Sequence, residues 1–103
     1  MTNTGNEDHS ITLAEATALT KKYRDENADQ TLGHAIGKQA ISDILAQAGC
    51  VGLRIYYALK TSGEKQLVFV GIDSNGDDLY NGLLADRTFN CPPDCGAANV
   101  LNS

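Results

Sequence analysis

The fold is decided by two segments, VGLRIYYALK at residues 51–60 and QLVFVGID at residues 66–73. The first segment alternates, which predicts a strand with one buried face and one wetter face. The residues on the buried face are Val51, Leu53, Ile55, Tyr57 and Leu59. The second segment is apolar on both faces, as is typical of a strand that is covered on both sides. A short glycine-containing loop separates them at residues 61–65. The two segments are therefore predicted to form an antiparallel hairpin at the centre of a sheet.

Two helices are predicted before this hairpin. Thr12 and Glu15 have the spacing of a capping box, and the helix that they open should end near residue 26. A second apolar stripe at helical spacing predicts a helix that begins between residues 34 and 37 and ends near residue 48. The expected fold class is therefore α+β, with two N-terminal helices packed on one face of an antiparallel sheet of three to five strands.

The remaining segments predict turns and short strands. Residues 74–77 contain Asn-Gly, the strongest short hairpin signal, and residues 78–88 indicate further strand with an interruption. The last fifteen residues contain both prolines and two cysteines, and they are expected to be irregular. Residues 1–10 are small and polar, which predicts a disordered leader. Residues 11–103 are then expected to form one domain.

Composition excludes some classes of partner. Of the 103 residues, 42% are hydrophobic and 20% are charged, as in a soluble globular domain. The net charge of −5 argues against binding to nucleic acid or to an anionic membrane surface. The N-terminus has neither the basic nor the apolar region of a secretory signal. Three cysteines, an odd number, fit a reducing compartment better than a disulfide framework. A cytoplasmic location is therefore predicted.

The segment Cys91-Pro-Pro-Asp-Cys95 is the local pattern that most invites a functional interpretation. Its two thiols could bind a soft metal or form a reversible disulfide, although the spacing is not that of a zinc ribbon. The interpretation that we favour is a tight turn whose cysteines pack as small hydrophobic side chains. Cys50 and His34 could complete a zinc site with them, but nothing local forces that convergence, so no metal site is predicted.

Other constellations have simpler explanations. His34 could act as a base for Cys50, although a surface or capping histidine is favoured. Residues 73–78 resemble the opening of a calcium loop, but the later ligand positions fail, so a solvated hairpin turn is favoured. Arg54 could pair with Asp86 across the sheet, stack on Tyr56 or Tyr80, or hold an anionic ligand, and the structural pairing is favoured. No catalytic residue and no cofactor are predicted.

Four segments of the chain resemble those of a group of small uncharacterised bacterial proteins: residues 48–57, residues 67–73, residues 85–87 and the tail that begins at Cys91. The similarity covers nearly everything after Ile11. It implies a bacterial origin and a cytoplasmic location, and it carries no activity, cofactor or catalytic residue to this chain.

The function predicted from the sequence is a non-catalytic binding or protein-interaction module that acts as a homodimer. The reason is the apolar character of both sheet faces, because two short helices cover about one face and an exposed apolar patch commonly marks an interface. The alternative is a thiol-dependent metal-binding or redox protein that uses Cys91 and Cys95, with Cys50 as a possible third thiol.

Overall fold

The structure is a computed structural model, and it describes residues 2–103. Within these residues the chain forms two helices and antiparallel sheets, which confirms the α+β class. The elements are α1 (Leu13–Glu26), β1 (Gly33–Ala35), α2 (Lys38–Leu45), β2 (Gly52–Leu59), β3 (Lys65–Ile72), β4 (Leu84–Ala85) and β5 (Phe89–Cys91).

The chain divides into two compact units. The first unit comprises Ile36–Thr88 together with the beginning of the chain through Glu7. The second unit comprises Asp8–Ala35 and Phe89–Ser103.

The first unit is built on a three-stranded antiparallel sheet in the order β2-β3-β4. The register of its hairpin runs from Gly52 opposite Ile72 to Leu59 opposite Lys65, so the predicted hairpin is confirmed. Phe69 is 5% exposed and Val70 is 2% exposed, as expected for a strand that is covered on both faces.

The helix α2 packs against β2 and β3 through its buried residue Ile44. Gly71 permits this close approach, because a Cβ atom at that position would lie 2.8 Å from the Cys50 Sγ atom and 3.1 Å from the Gln47 Nε2 atom. The same Cβ would lie 3.3 Å from the Ile44 Cγ2 atom. The missing side chain on the sheet therefore admits the helix and the residues that follow it.

The turn after β3 has the predicted hairpin form. Asp73 closes it, because its Oδ1 atom accepts hydrogen bonds from the backbone N–H groups of Asn75 at 2.9 Å and Asp77 at 3.0 Å. Gly76 adopts a φ of 82°, which a glycine tolerates without steric cost. The N–H of Asn3, within the segment expected to be a leader, donates to the Ser74 carbonyl of this turn at 2.8 Å.

The second unit contains α1 and the two-stranded antiparallel sheet β1-β5. The predicted capping box is confirmed, since the Thr12 hydroxyl accepts from the Glu15 N–H at 3.1 Å and the Glu15 carboxylate accepts from the Thr12 N–H. The helix α1 has no buried residue. Its side chains therefore contribute no buried apolar core to this unit.

Three expectations about the architecture are wrong. The two helices do not both pack on one sheet, because α1 belongs to the second unit and α2 packs on the three-stranded sheet of the first. His34 lies in β1 rather than at the start of a helix, and α2 is only eight residues long. The tail is not wholly irregular, because β5 pairs with β1. Strand pairing between distant segments overrides the weak local pattern in both of these short strands.

Candidate functional site

Among the described residues, the strand order β2-β3-β4 leaves β2 at the border of its sheet, so its outer edge has no neighbouring strand. The Lys60 N–H donates to the Glu64 carbonyl at 2.9 Å, in register with the hairpin. Hydrogen-bonded positions alternate along an antiparallel pair. The backbone N–H and C=O groups of Ile55, Tyr57 and Leu59 therefore point away from β3, toward the open edge.

The side chains of the same three residues are exposed. Ile55 is 48% exposed, Tyr57 is 93% exposed and Leu59 is 71% exposed, whereas the sequence pattern placed all three on a buried face. The reason is length: eight residues of α2 span about 12 Å, and eight residues of β2 span about 26 Å. Because the helix contacts the Gly71 end of the sheet, it leaves the far half of β2 uncovered. We call this surface the β2 edge patch; it consists of the side chains of Ile55, Tyr57 and Leu59 and the outer backbone edge of β2.

Arg54 and Tyr56, on the opposite face of β2, both bind Asp78. The Arg54 Nη1 atom donates to the Asp78 Oδ1 atom at 2.6 Å and to the Gly76 carbonyl at 2.9 Å. The Tyr56 hydroxyl donates to the other carboxylate oxygen, Oδ2. The predicted pairing of Arg54 with Asp86 is therefore wrong, because the strand assumed to present Asp86 is only the two-residue β4.

The electrostatics of this cluster stabilise ionised Asp78. The hydrogen bond from Tyr56, followed by the hydrogen bond and charge of Arg54, holds the pKa of the Asp78 carboxyl below its ordinary value of 3.8. The same carboxylate raises the pKa of the Tyr56 hydroxyl above its ordinary value of 10.0. Both carboxylate oxygens already accept a side-chain donor. The cluster therefore fastens the turn to β2, rather than presenting a free acid or base.

A depression of about 400 Å³ lies between the end of α2 and the segment after the turn. Its lining residues are Gln47, Ala48, Asp78, Leu79, Tyr80, Asn81 and Gly82. The Gln47 Oε1 atom accepts from the Leu83 N–H at 2.9 Å, and its Nε2 atom donates to the Ile44 carbonyl at 2.9 Å. The Gln47 amide therefore bridges the two walls, and a Cβ atom at Gly82 would collide with it.

Cys91 and Cys95 are joined by a disulfide, with their Cα atoms 4.5 Å apart. The favoured interpretation of these residues as packed free thiols is therefore wrong. The disulfide that was considered as an alternative is the arrangement that the structure shows. The sequence signal was present in the spacing, but the spacing alone does not show whether two thiols approach closely enough to bond.

The other candidate residues lie apart from any ligand cluster. Cys50 is a free, half-buried thiol in the first unit, and its Sγ atom donates to the Gly52 carbonyl at 3.3 Å. His34 lies in β1, in register with Asn90 of β5. Within the described residues, no group of three or more His, Cys, Asp or Glu side chains is placed to hold a metal ion.

Sequence reasoning missed the exposure of Tyr57 and the role of Asp78. The exposure of Tyr57 could have been predicted from the lengths of the elements, because the apolar stripe of the second predicted helix is shorter than the strand that it covers. The Asn-Gly turn could have indicated the role of Asp78, because the chain reverses direction at this turn and Asp78 then pairs with Ile72 in an antiparallel bridge.

No family model matches the chain, and neither a curated protein nor a solved structure is significantly similar to it. The resemblance to small bacterial proteins stays a prediction. In residues 2–103, neither helix has the length and apolar character needed to cross a membrane.

Proposed function

We propose that the protein is a non-catalytic interaction module that forms a homodimer through the β2 edge patch. The observation that carries this proposal is an open strand edge that coincides with exposed apolar side chains, above all Tyr57. An exposed edge with apolar side chains is a template for pairing with another strand.

The patch is self-complementary, which is why the proposed occupant is a second copy of the chain. A two-fold axis at Tyr57 would set this residue beside Tyr57 of the partner subunit and Ile55 beside Leu59 of the partner subunit. Because the outward backbone groups belong to these same residues, the antiparallel pairing would form hydrogen bonds at each of them. Every apolar side chain of the patch would then face another apolar side chain.

Charge does not oppose this arrangement strongly. On the other face of the strand, the same axis would bring Arg54 near Lys60 of the partner subunit, and like charges directly opposite are unfavourable. Arg54 is already paired with Asp78 at 2.6 Å, and Lys60 is paired with Glu64 at 3.2 Å. Each cation thus carries its own counter-charge. The interface would bury on the order of 1,000 Å² in total, which is typical of a weak and reversible association.

The test is the mass of the protein in solution. Light scattering and sedimentation from about 1 to about 200 µM should show a concentration-dependent rise from 10.9 kDa toward twice that mass. Tyr57→Lys places two cations together at the axis and should weaken association at least about tenfold. Tyr80→Lys is the matched control, because Tyr80 is also an exposed tyrosine but lies outside the patch, and it should leave association unchanged.

Two results would refute the proposal. A mass that stays near 10.9 kDa over the whole range excludes the homodimer. A dimer that Tyr57→Lys does not weaken excludes this edge as the interface. Circular dichroism of both lysine variants should match that of the natural protein, which separates loss of association from loss of folding.

The Cys91–Cys95 bond favours a second candidate function, a thiol-dependent redox protein. In the cytoplasm, where we also propose that the protein resides, such a bond forms and breaks reversibly rather than persisting as a staple. A count of reactive thiols tests this: the natural protein should show one thiol, from Cys50, and three after a native treatment with dithiothreitol. Metal analysis of the reduced protein tests the metal-binding form of the same candidate.

A further inference from the structure

We infer that the Cys91–Cys95 bond is a redox-controlled fastening for the β1-β5 sheet, so that its reduction loosens the second unit. This inference rests on the second candidate function, because it requires the bond to be reversible.

Apart from the disulfide, few interactions stabilise the second unit. Asn90 is its one buried residue among those the structure describes, and α1 buries none. The sheet consists of two strands of three residues each, which is too small to be stable alone in water. Phe89, the large apolar residue of β5, is exposed. Apolar burial within this unit therefore contributes little to holding the two strands together.

The disulfide lies at the end of the β1-β5 strand pair. Cys91 is the last residue of β5, stands opposite Gly33, and accepts a hydrogen bond from the Leu32 N–H at 2.6 Å through its carbonyl. The bond closes a short ring of residues 91–95, and the Asp94 N–H inside it donates to the carbonyl of Asn90, the residue before the ring, at 2.9 Å. Reduction would release this ring at the residue that pairs with β1.

The same ring is connected by hydrogen bonds to the tail, and through the tail to α1. The Asn102 Nδ2 atom donates to the Cys95 carbonyl at 3.1 Å. Two hydrogen bonds join the tail to α1. The Arg24 guanidinium donates both, to the Leu101 carbonyl at 2.8 Å and to the Ser103 carbonyl at 2.9 Å. The disulfide thus holds Cys95, and the tail that bonds to its carbonyl, close to the end of β5, and its loss leaves only the peptide chain of residues 92–94 to connect them.

The chemistry needs a dithiol as the reductant. One thiolate of the dithiol attacks a sulfur of the Cys91–Cys95 bond, forms a mixed disulfide and releases the other cysteine as a thiolate. The second thiolate of the reductant then attacks the mixed disulfide and releases the remaining cysteine. The dithiol leaves as a disulfide, and the protein has gained two electrons and two protons. Reoxidation by a disulfide reverses both steps.

The test is hydrogen–deuterium exchange of the full chain, read at the amides of residues 32–35. We expect their exchange to accelerate about tenfold or more when dithiothreitol reduces the bond. Exchange across β2 and β3 should stay unchanged and serves as the internal reference. A variant with both Cys91→Ser and Cys95→Ser should reproduce the accelerated exchange without a reductant. Cys50→Ser keeps the bond and should exchange like the natural protein.

The outcomes separate this inference from the candidate function beneath it. Three thiols after reduction with unchanged exchange at residues 32–35 would overturn the inference and leave the redox candidate standing. A single thiol that persists after native reduction would overturn both, because the bond would not be exchangeable. Three thiols in the untreated protein would also overturn both, because the bond would not have formed.

Discussion

Gly71→Ala is the substitution that most directly tests how α2 packs on the sheet. Its new Cβ atom would meet the Cys50 Sγ atom at 2.8 Å and the Gln47 Nε2 atom at 3.1 Å. Inserting a methyl group into such a tight contact costs about 1–3 kcal/mol. Replacing glycine recovers about 0.4–1 kcal/mol by restricting the unfolded chain. We therefore expect a net loss of about 1–2 kcal/mol in the free energy of unfolding.

The matched control is Gly52→Ala, in the neighbouring strand of the same sheet. Its Cβ atom would lie 3.5 Å from the Ile72 Cγ1 atom, which is an ordinary packing distance. This variant should therefore be neutral or more stable by up to about 1 kcal/mol. Urea unfolding at an unchanged m-value measures both variants.

A double-mutant cycle identifies the atom responsible. Cys50→Ala removes the sulfur that lies closest to the new methyl group, so Gly71→Ala should cost at least about 0.5 kcal/mol less in that background. If Gly71→Ala proves as stable as Gly52→Ala, or if the cycle shows no coupling, the packing of α2 and Cys50 over Gly71 is refuted.

Three further substitutions test other parts of the structure. Val70→Asp would bury an unpaired charge at a position that is 2% exposed. Urea unfolding should show a loss on the order of 4 kcal/mol in the free energy of unfolding, and a loss below about 1 kcal/mol would contradict the burial. Thr12→Ala removes the N-cap of α1 and should cost about 1 kcal/mol, seen as faster amide exchange in that helix; unchanged exchange would contradict the capping box. Because the folded-state pKa of Asp78 lies below 3.8, its ionised form adds stability that is fully present above that pH and is lost as the pH falls through the folded value. Asp78→Asn should therefore flatten the acid limb of stability below about pH 3.8, and an equally steep limb would show that this carboxylate is not responsible.

The sequence predicted the elements whose signals are local and periodic. The β2-β3 hairpin and the capping box at Thr12 depend on residues within a few positions of one another, and both are confirmed. The β1-β5 sheet was missed because each strand has three residues, too few to show a period, and its partner is distant in the chain. The Arg54 contact was misassigned because the choice between two aspartates depends on where a turn returns the chain. Such contacts are set by tertiary geometry rather than by spacing.

The two proposals draw on parts of the molecule that are stabilised differently. Among residues 2–103, the buried hydrophobic residues belong to the first unit; they are Ile44, Phe69, Val70 and Ile72. The β2 edge patch therefore lies on a strand that pairs along its length with the buried strand β3, and association through it requires no change of fold. The second unit contains instead a disulfide, a small sheet and polar contacts to its tail. Reduction can therefore act on the second unit while the core of the first persists, so a dimer that survives reduction is compatible with both proposals.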